Sequence, residues 1–299
     1  MHKSFGFDLD EFRELPLPSQ DEIMSNWHGH SVAPLVSVLC ATYNHRPYIE
    51  DAIKGFLLQK TSFPFEIVIH DDCSSDGTLE VLLDFKNRYP CIIRIIAQTE
   101  NQYSRGYRPI PTASSFALGK YLAICEGDDF WIDSLKLECQ KNQLEANPDV
   151  SMCFHNAYRL NARVGTVDLF NKLDFPKTIR PRDIVLKGWF SPTASFFLRK
   201  SVMDNVSRSL SDGANGDMLI LLESSLAGSV VYDSDVRSVY RYLSSGSMSV
   251  TSSYRELVDK KVSFYKVVLE KKKSLFFYVF FKVMYYKLMI AKRAIFDAS

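Results

Sequence analysis

Lys120-Tyr121-Leu122-Ala123-Ile124-Cys125-Glu126-Gly127-Asp128-Asp129-Phe130-Trp131 joins an apolar segment to an acidic one. The first part is a short continuous apolar run, so it reads as a buried strand. The carboxylates follow where that strand ends. Adjacent carboxylates repel each other and cost stability unless a cation sits beside them. A hard divalent ion on carboxylate oxygens, Mg²⁺ or Mn²⁺, meets that cost and commonly bridges a substrate diphosphate as well. The plain alternative is a solvated turn, for which Gly-Asp-Asp is ordinary chemistry.

Upstream, Leu35–Ala41 is a Val- and Leu-rich run, the pattern of a strand covered on both faces. Ile49, Ala52, Ile53, Phe56 and Leu57 then recur at helical spacing. Phe65–Ile69 is a second buried strand, ending in the turn-rich His70–Thr78. Leu79, Leu82 and Leu83 open another amphipathic helix. Ile92–Ala97 reads as a strand, Pro111–Leu118 as a short helix and Tyr121–Cys125 as a fourth strand. Alternating strands and helices predict βαβ units and a mostly parallel sheet. Such sheets bind ligands beyond the carboxyl ends of their strands. The clusters Thr42-Tyr43-Asn44, Asp71-Asp72 and Asp128-Asp129 all fall at such ends, which points to one crevice.

Downstream, the pattern predicts a helix over Asp133–Ala146 and a strand over Val150–Tyr158. Region 159–192 is irregular. A strand at Thr193–Leu198, a helix opening at Asp217, and strands at Ser229–Tyr232 and Val236–Tyr242 follow. The division expected is a lead-in over 1–33, a catalytic domain over 34–247 and a basic, aromatic-rich helical extension over 248–299.

The net charge of +1 argues against a general nucleic-acid binder. It hides an asymmetry: from Arg255 onward 11 Lys/Arg face 4 Asp/Glu, a local +7, which leaves −6 on the remainder. The six cysteines form no C-x-x-C pair, and Cys40 and Cys125 fall in expected strands. They read as reduced, core-filling thiols of a cytosolic protein, with no zinc site. Residues 1–33 carry six acidic residues and no long apolar core, so no signal peptide is read there. His28 and His30 read as loop histidines.

Four segments in this order resemble glycosyltransferase family 2, the inverting nucleotide-sugar transferases of the GT-A fold: Val36–Asn44, Asp71–Thr78, Glu126–Trp131 and Asn215-Gly216-Asp217-Met218. The resemblance spans about residues 35–246. It implies an α/β GT-A fold, a Rossmann-like, mostly parallel central sheet flanked by helices, followed by the C-terminal helical extension. It implies that Ala41 and Tyr43 contact the nucleotide, with Tyr43 on the base. Asp72 matches the carboxylate that accepts from the uracil N–H. Asp128 and Asp129 match the acidic motif, one on the ribose or sugar and one or both on Mn²⁺ or Mg²⁺. Asp217 matches the catalytic base. Arg105 is expected near the donor phosphates, and Trp131 either as a wall of the acceptor or sugar site or as a core residue. Asp76 reads rather as a helix cap.

Two positions depart from the family's pattern. Glu126 stands where relatives often have the first Asp. Leu243, in Tyr240–Gly246, stands where relatives often have a metal- or phosphate-binding His. The function implied is transfer of a sugar from a nucleotide-sugar, expected to be UDP-linked, to a hydroxyl of a glycan or lipid-linked glycan acceptor in surface polysaccharide synthesis. A non-catalytic sugar-nucleotide or glycan-binding module of the same fold is the alternative. A Rossmann oxidoreductase would need G-x-G-x-x-G after the first strand, and a P-loop enzyme its own glycine motif. Neither is present.

Residues 255–296 read as helical. Leu275–Phe281 is too short for a span of about 20 apolar residues. Aromatics among lysines fit a peripheral anchor on the anionic inner face of the cell membrane. A helix packed on the domain, or on a second copy of the chain, is the alternative.

Overall fold

The apolar runs become the strands of one mixed sheet. The computed structural model describes residues 7–28, 33–172, 175–209, 216–244 and 253–296. Helices α1 (Leu9–Glu14) and α2 (Gln20–Ser25) precede β1 (Val36–Thr42), α3 (Ile49–Leu57), β2 (Phe65–Asp71), α4 (Thr78–Arg88) and β3 (Ile93–Ala97). Then come α5 (Pro109–Ser115), β4 (Tyr121–Ile124), β5 (Phe130–Trp131), α6 (Lys136–Ala146), β6 (Val150–Asn161), β7 (Val167–Leu169) and β8 (Thr178–Ile179). The chain continues through α7 (Pro181–Lys187), β9 (Phe197–Arg199), α8 (Lys200–Ser209), α9 (Gly216–Ala227) and β10 (Ser229–Tyr242). Two long helices, α10 (Tyr254–Lys271) and α11 (Phe276–Phe296), close it.

The sheet order is β3-β2-β1-β4-β9-β6-β10-β5. β3, β2, β1 and β4 are mutually parallel, and β9 runs antiparallel to both β4 and β6. Successive side chains of β1 alternate between two cores, as the pleat requires. Val38 and Cys40 meet Ile53, Phe56 and Leu82 on one face, whereas Leu39 joins the layer that holds Ile184, Val202 and Leu222. Helices on both faces account for the unbroken apolar reading of β1 and β2.

The last two helices belong to that second layer. Phe264, Val268, Leu275 and Val279 are buried in it, and Lys271 pairs with Glu223 at 2.7 Å. The lead-in is tied down as well. Phe12 packs on Phe130 with ring centroids 5.0 Å apart, and Arg13 grips Asp51 through two bonds of 2.9 and 2.8 Å.

Three boundaries differ from the sequence reading. The helix expected from Asp133 begins at Lys136, because the Asp133 carboxylate accepts from the Leu135 N–H at 2.8 Å and turns the chain first. The strand expected from Thr193 opens as a 3₁₀ turn, closed by the Ser195 hydroxyl donating to the Pro192 carbonyl at 2.6 Å. The two strands expected over 229–242 are one, β10, with a register shift between Asp233 and Val236. All six cysteines are free, and Cys40, Cys125 and Cys153 are buried.

Candidate active site

The loops after β1, β2 and β4 are stitched together by backbone hydrogen bonds. The Asp72 N–H donates to the Thr42 carbonyl at 3.0 Å, and the Gly127 N–H donates to the Ala41 carbonyl at 2.9 Å. Gly127 has no room for a side chain: a Cβ there would lie 2.9 Å from Ile49 Cδ1 and 2.9 Å from Thr42 Cβ. Asn44 takes a left-handed φ of 55°. Its side-chain carbonyl accepts from the Ser75 N–H at 2.8 Å, which fixes the first loop to the second.

Ala41 is half-buried at the end of β1, and Tyr43 is 42% exposed at the rim. Asp72 is buried, and its two oxygens accept from the N–H groups of Gln102 at 2.7 Å and Tyr103 at 3.0 Å. It thereby anchors the loop that carries Arg105. The Arg105 side chain is exposed and pairs with Glu100. Asp76 accepts from the Thr78 and Arg46 N–H groups, both at 3.0 Å, so it serves its turn.

Glu126, Asp128 and Asp129 follow β4 together, and the charge of Asp217 reaches the Glu126 carboxyl. Asp128 Oδ2 accepts from the Ser244 hydroxyl at 2.8 Å. Asp129 Oδ1 accepts from the Arg241 backbone N–H at 2.8 Å, while its Oδ2 is buried without a partner. Burial, then the charges of Asp128 and Glu126, push the Asp129 carboxyl well above its usual range. Glu126 is partly exposed, yet burial of its carboxyl, with Asp128 and Asp217 nearby, raises it to about 8. The Tyr240 hydroxyl is pushed up by burial and by the charges of Asp129, Glu126, Asp128 and Asp217.

Asp217 is the second residue of α9 and is partly exposed. Burial raises its carboxyl; the hydrogen bond from the Met218 N–H, at 2.8 Å, and the nearby Trp189 side chain act the other way. The preceding Asn215, with Ser245 and Gly246 of the other motif and His30, lies outside the described residues.

Among the described residues no three acidic, His or Cys side chains lie close enough to share one ion. Two aspartates with water and phosphate oxygens form a donor set that Mg²⁺ accepts. The unpartnered, buried Asp129 Oδ2, with the charges of Asp128 and Glu126 beside it, is an oxygen that a divalent cation would satisfy. Leu243 supplies no ligand, but the next residue, Ser244, meets Asp128 directly. Sequence reasoning passed over that hydroxyl, although its place beside the expected His position was a usable signal.

Arg241 is structural. It is 2% exposed, pairs with Asp51, donates to the Asp128 carbonyl at 2.8 Å and lies 4.3 Å from the Phe130 ring centroid. Trp131, expected as a wall of the sugar site, is a correction. It is 1% exposed, its indole donates to the Ala194 carbonyl at 2.8 Å, and Phe56 packs against it at 4.7 Å. Its strand ends beside α3, where Gly55 leaves room for the Trp131 backbone, so the ring turns into the core. The tryptophan beside Asp217 is Trp189, in a region whose sequence has no periodicity to place it.

Solved structures share this architecture. S. aureus TarS 1-349 in complex with UDP-GlcNAc superimposes with a TM-score of 0.61 at 18% identity, over 78% of this chain and 66% of that one. The mannosyltransferase PcManGT from Pyrobaculum calidifontis, in complex with GDP-Man and Mn²⁺, gives 0.56 at 18% identity, over 87% and 69%. The fold is the GT-A fold. In sequence, 121 residues are 40% identical to the uncharacterized protein Rv1520 of Mycobacterium tuberculosis, covering 40% of this chain and 34% of that one. The putative teichuronic acid biosynthesis glycosyltransferase TuaG of Bacillus subtilis is 36% identical over 48% of this chain and 52% of its own. The Escherichia coli UDP-Glc:alpha-D-GlcNAc-diphosphoundecaprenol beta-1,3-glucosyltransferase WfgD is 31% identical over 49% and 55%. The matched part thus spans between 34% and 55% of the length of these relatives. The model named Glycosyl transferase family 2 matches residues 37–206, more than half of the chain. The chain belongs to glycosyltransferase family 2.

Proposed function

We propose that this protein transfers a sugar from a UDP-linked donor to a hydroxyl of a glycan or lipid-linked glycan, in surface polysaccharide synthesis, with inversion. One observation supports the reading: Asp217, at the start of α9, is near enough to Glu126, just after β4, for its charge to bear on that carboxyl. A base close to the carboxylates that would hold the diphosphate suits in-line displacement.

Tyr43 at the rim would cover the base, with Ala41 below it and Asp72 ordering the loop that presents Arg105. Asp128 and Asp129 would hold Mn²⁺ or Mg²⁺, which when bound supplies positive charge for the leaving diphosphate. Asp217 accepts the proton of the acceptor hydroxyl as its oxygen bonds to the anomeric carbon. The bond from that carbon to the phosphate oxygen breaks, and UDP departs with the electron pair. The raised affinity of the Asp217 carboxylate for a proton suits this work. The UDP-GlcNAc held by TarS and the UDP-Glc named for WfgD support a UDP donor. UDP release from a panel of UDP-sugars, with and without Mn²⁺, tests the reading. Asp217→Asn should abolish transfer while leaving UDP binding intact. UDP binding with no turnover of any donor by the parent would favour the non-catalytic module.

The reading extends to a lipid surface. Phe277, Phe281, Met284 and Leu288 form a stripe along α11 and are 71, 68, 42 and 65% exposed. Val279 on the other side is buried. Lys271, Lys272, Lys273 and Lys287 are exposed around the stripe. A bilayer with anionic headgroups matches both chemistries. No helix among the described residues is long and apolar enough to cross a membrane. Flotation with anionic liposomes should recover the full chain and lose the Phe277→Ser/Phe281→Ser/Leu288→Ser variant. Equal recovery removes the lipid surface, and a parent that elutes as a dimer while the variant does not would assign the stripe to a second copy.

A further inference from the structure

Trp189 is 42% exposed although it stands in a cluster of three rings. Its ring lies 5.0 Å from Phe170 at 82° and 5.4 Å from Tyr240 at 70°, and Phe170 and Tyr240 are 5.6 Å apart at 84°. Mutual edge-to-face packing of this kind holds aromatic rings firmly. The backbone around it is set as well. Gly188 takes a φ of +74°, closed to most side chains, and Phe190 is buried against Phe175 at 5.2 Å. The next residue is thus anchored inward while Trp189 is turned outward. A large aromatic held in place by its neighbours and left open to water offers a flat face for stacking.

The position of the ring narrows the ligand. The Trp189 side chain lies beside Asp217, near enough to bear on its carboxyl. If Asp217 takes the acceptor's proton, that hydroxyl lies within hydrogen-bond reach, about 3 Å, of the same carboxylate. The sugar bearing the hydroxyl then extends over the indole. A pyranose has an apolar face of axial C–H groups and a polar rim of hydroxyls. The exposed indole offers a flat surface for the first, and the acidic crevice offers acceptors for the second.

We infer that Trp189, braced by Phe170 and Tyr240, is the platform on which an acceptor pyranose stacks, and that its indole N–H positions the Asp217 carboxylate. The inference rests on Asp217 as the base. It makes the acceptor terminus a pyranoside rather than an alditol phosphate or a bare lipid phosphate.

The test uses the full chain and methyl pyranosides, the N-acetylglucosaminide, glucoside, galactoside and mannoside, as probes. The sequence holds only Trp27, Trp131 and Trp189, so its ¹⁵N–¹H spectrum shows three indole signals. The signal missing from Trp189→Phe identifies Trp189. It should move saturably with at least one pyranoside while the other two stay fixed. With that pyranoside as acceptor, Trp189→Ala should raise KM about tenfold, the equivalent of ~1.4 kcal/mol of lost contact. Trp189→Phe keeps a ring and loses the N–H, so it should hold KM near the parent value and lower kcat. A structural role alone would not split the two constants this way. A Trp189 signal indifferent to every pyranoside, or a Trp189→Ala variant with the parent KM, overturns the platform. Transfer by Asp217→Asn at the parent rate would instead overturn the base, whatever the indole signal does.

Discussion

Replacing Arg241 by Met should cost about 3 kcal/mol of stability. The guanidinium is almost wholly buried and joins three parts of the chain: Asp51 on α3, the Asp128 carbonyl and the Phe130 ring. A buried pair broken on one side typically costs about 3–5 kcal/mol. The charge-assisted bond to a carbonyl is worth roughly 1.5–3, and the desolvated ring contact about 2. These terms overlap and do not add. Asp51 also keeps both bonds from Arg13, so its charge is not left alone. The backbone N–H that holds Asp129 survives the substitution. Those two facts place the cost at the lower end. At an unfolding entropy of about 2.1 cal/mol/K per residue, a chain of 299 residues shifts by about 1.6 °C per kcal/mol, so the melting temperature should fall by about 5 °C. Urea unfolding of the parent, Arg241→Met, Arg13→Met and the double variant reads it directly. Arg13 is half-exposed, so its loss alone should cost less, about 1 kcal/mol. The double variant should lose more than the sum, because Asp51 then has neither cation. An Arg241→Met cost below about 1 kcal/mol, or strict additivity, would refute the reasoning.

Gly127→Ala forces a methyl to within 2.9 Å of Ile49 and Thr42. Overpacking of that kind costs about 1–3 kcal/mol, and it should also displace Asp128 and weaken UDP binding; unchanged urea midpoint and UDP affinity would contradict the contact. The pH profile of kcat tests the base. Burial raises the Asp217 carboxyl, so its ionised fraction, and with it the rate, should fall with decreasing pH at a midpoint above the ordinary value of about 4. An acid limb at or below that value would show a solvated carboxylate instead.

The strands were legible because burial on both faces leaves a local mark, the unbroken apolar run. Val36–Thr42, Phe65–Asp71 and Tyr121–Ile124 carry it. Their carboxyl ends were therefore legible too, with Asp72, Asp128 and Asp129 upon them. The bulge in β10 was not, because Asp233 and Asp235 form a local turn that looks like a break between strands. The places of the two tryptophans were hidden for a related reason. Trp131 adjoins the acidic motif in sequence, but strand alternation and the space at Gly55 send it inward. Trp189 is far from the motif in sequence and reaches it only through the fold, beside Asp217. Ser244 and Arg241 act through tertiary contacts to Asp128 and Asp51 that no spacing encodes.

Calorimetric titration of UDP into the full chain, once with Mn²⁺ and once with EDTA, bears most directly on whether these carboxylates form a donor site. Saturable binding with Mn²⁺, weakened at least about tenfold by EDTA and lost in Asp128→Asn/Asp129→Asn, is the expected result. Absence of UDP binding under both conditions, or equal affinity in the double variant, would contradict it.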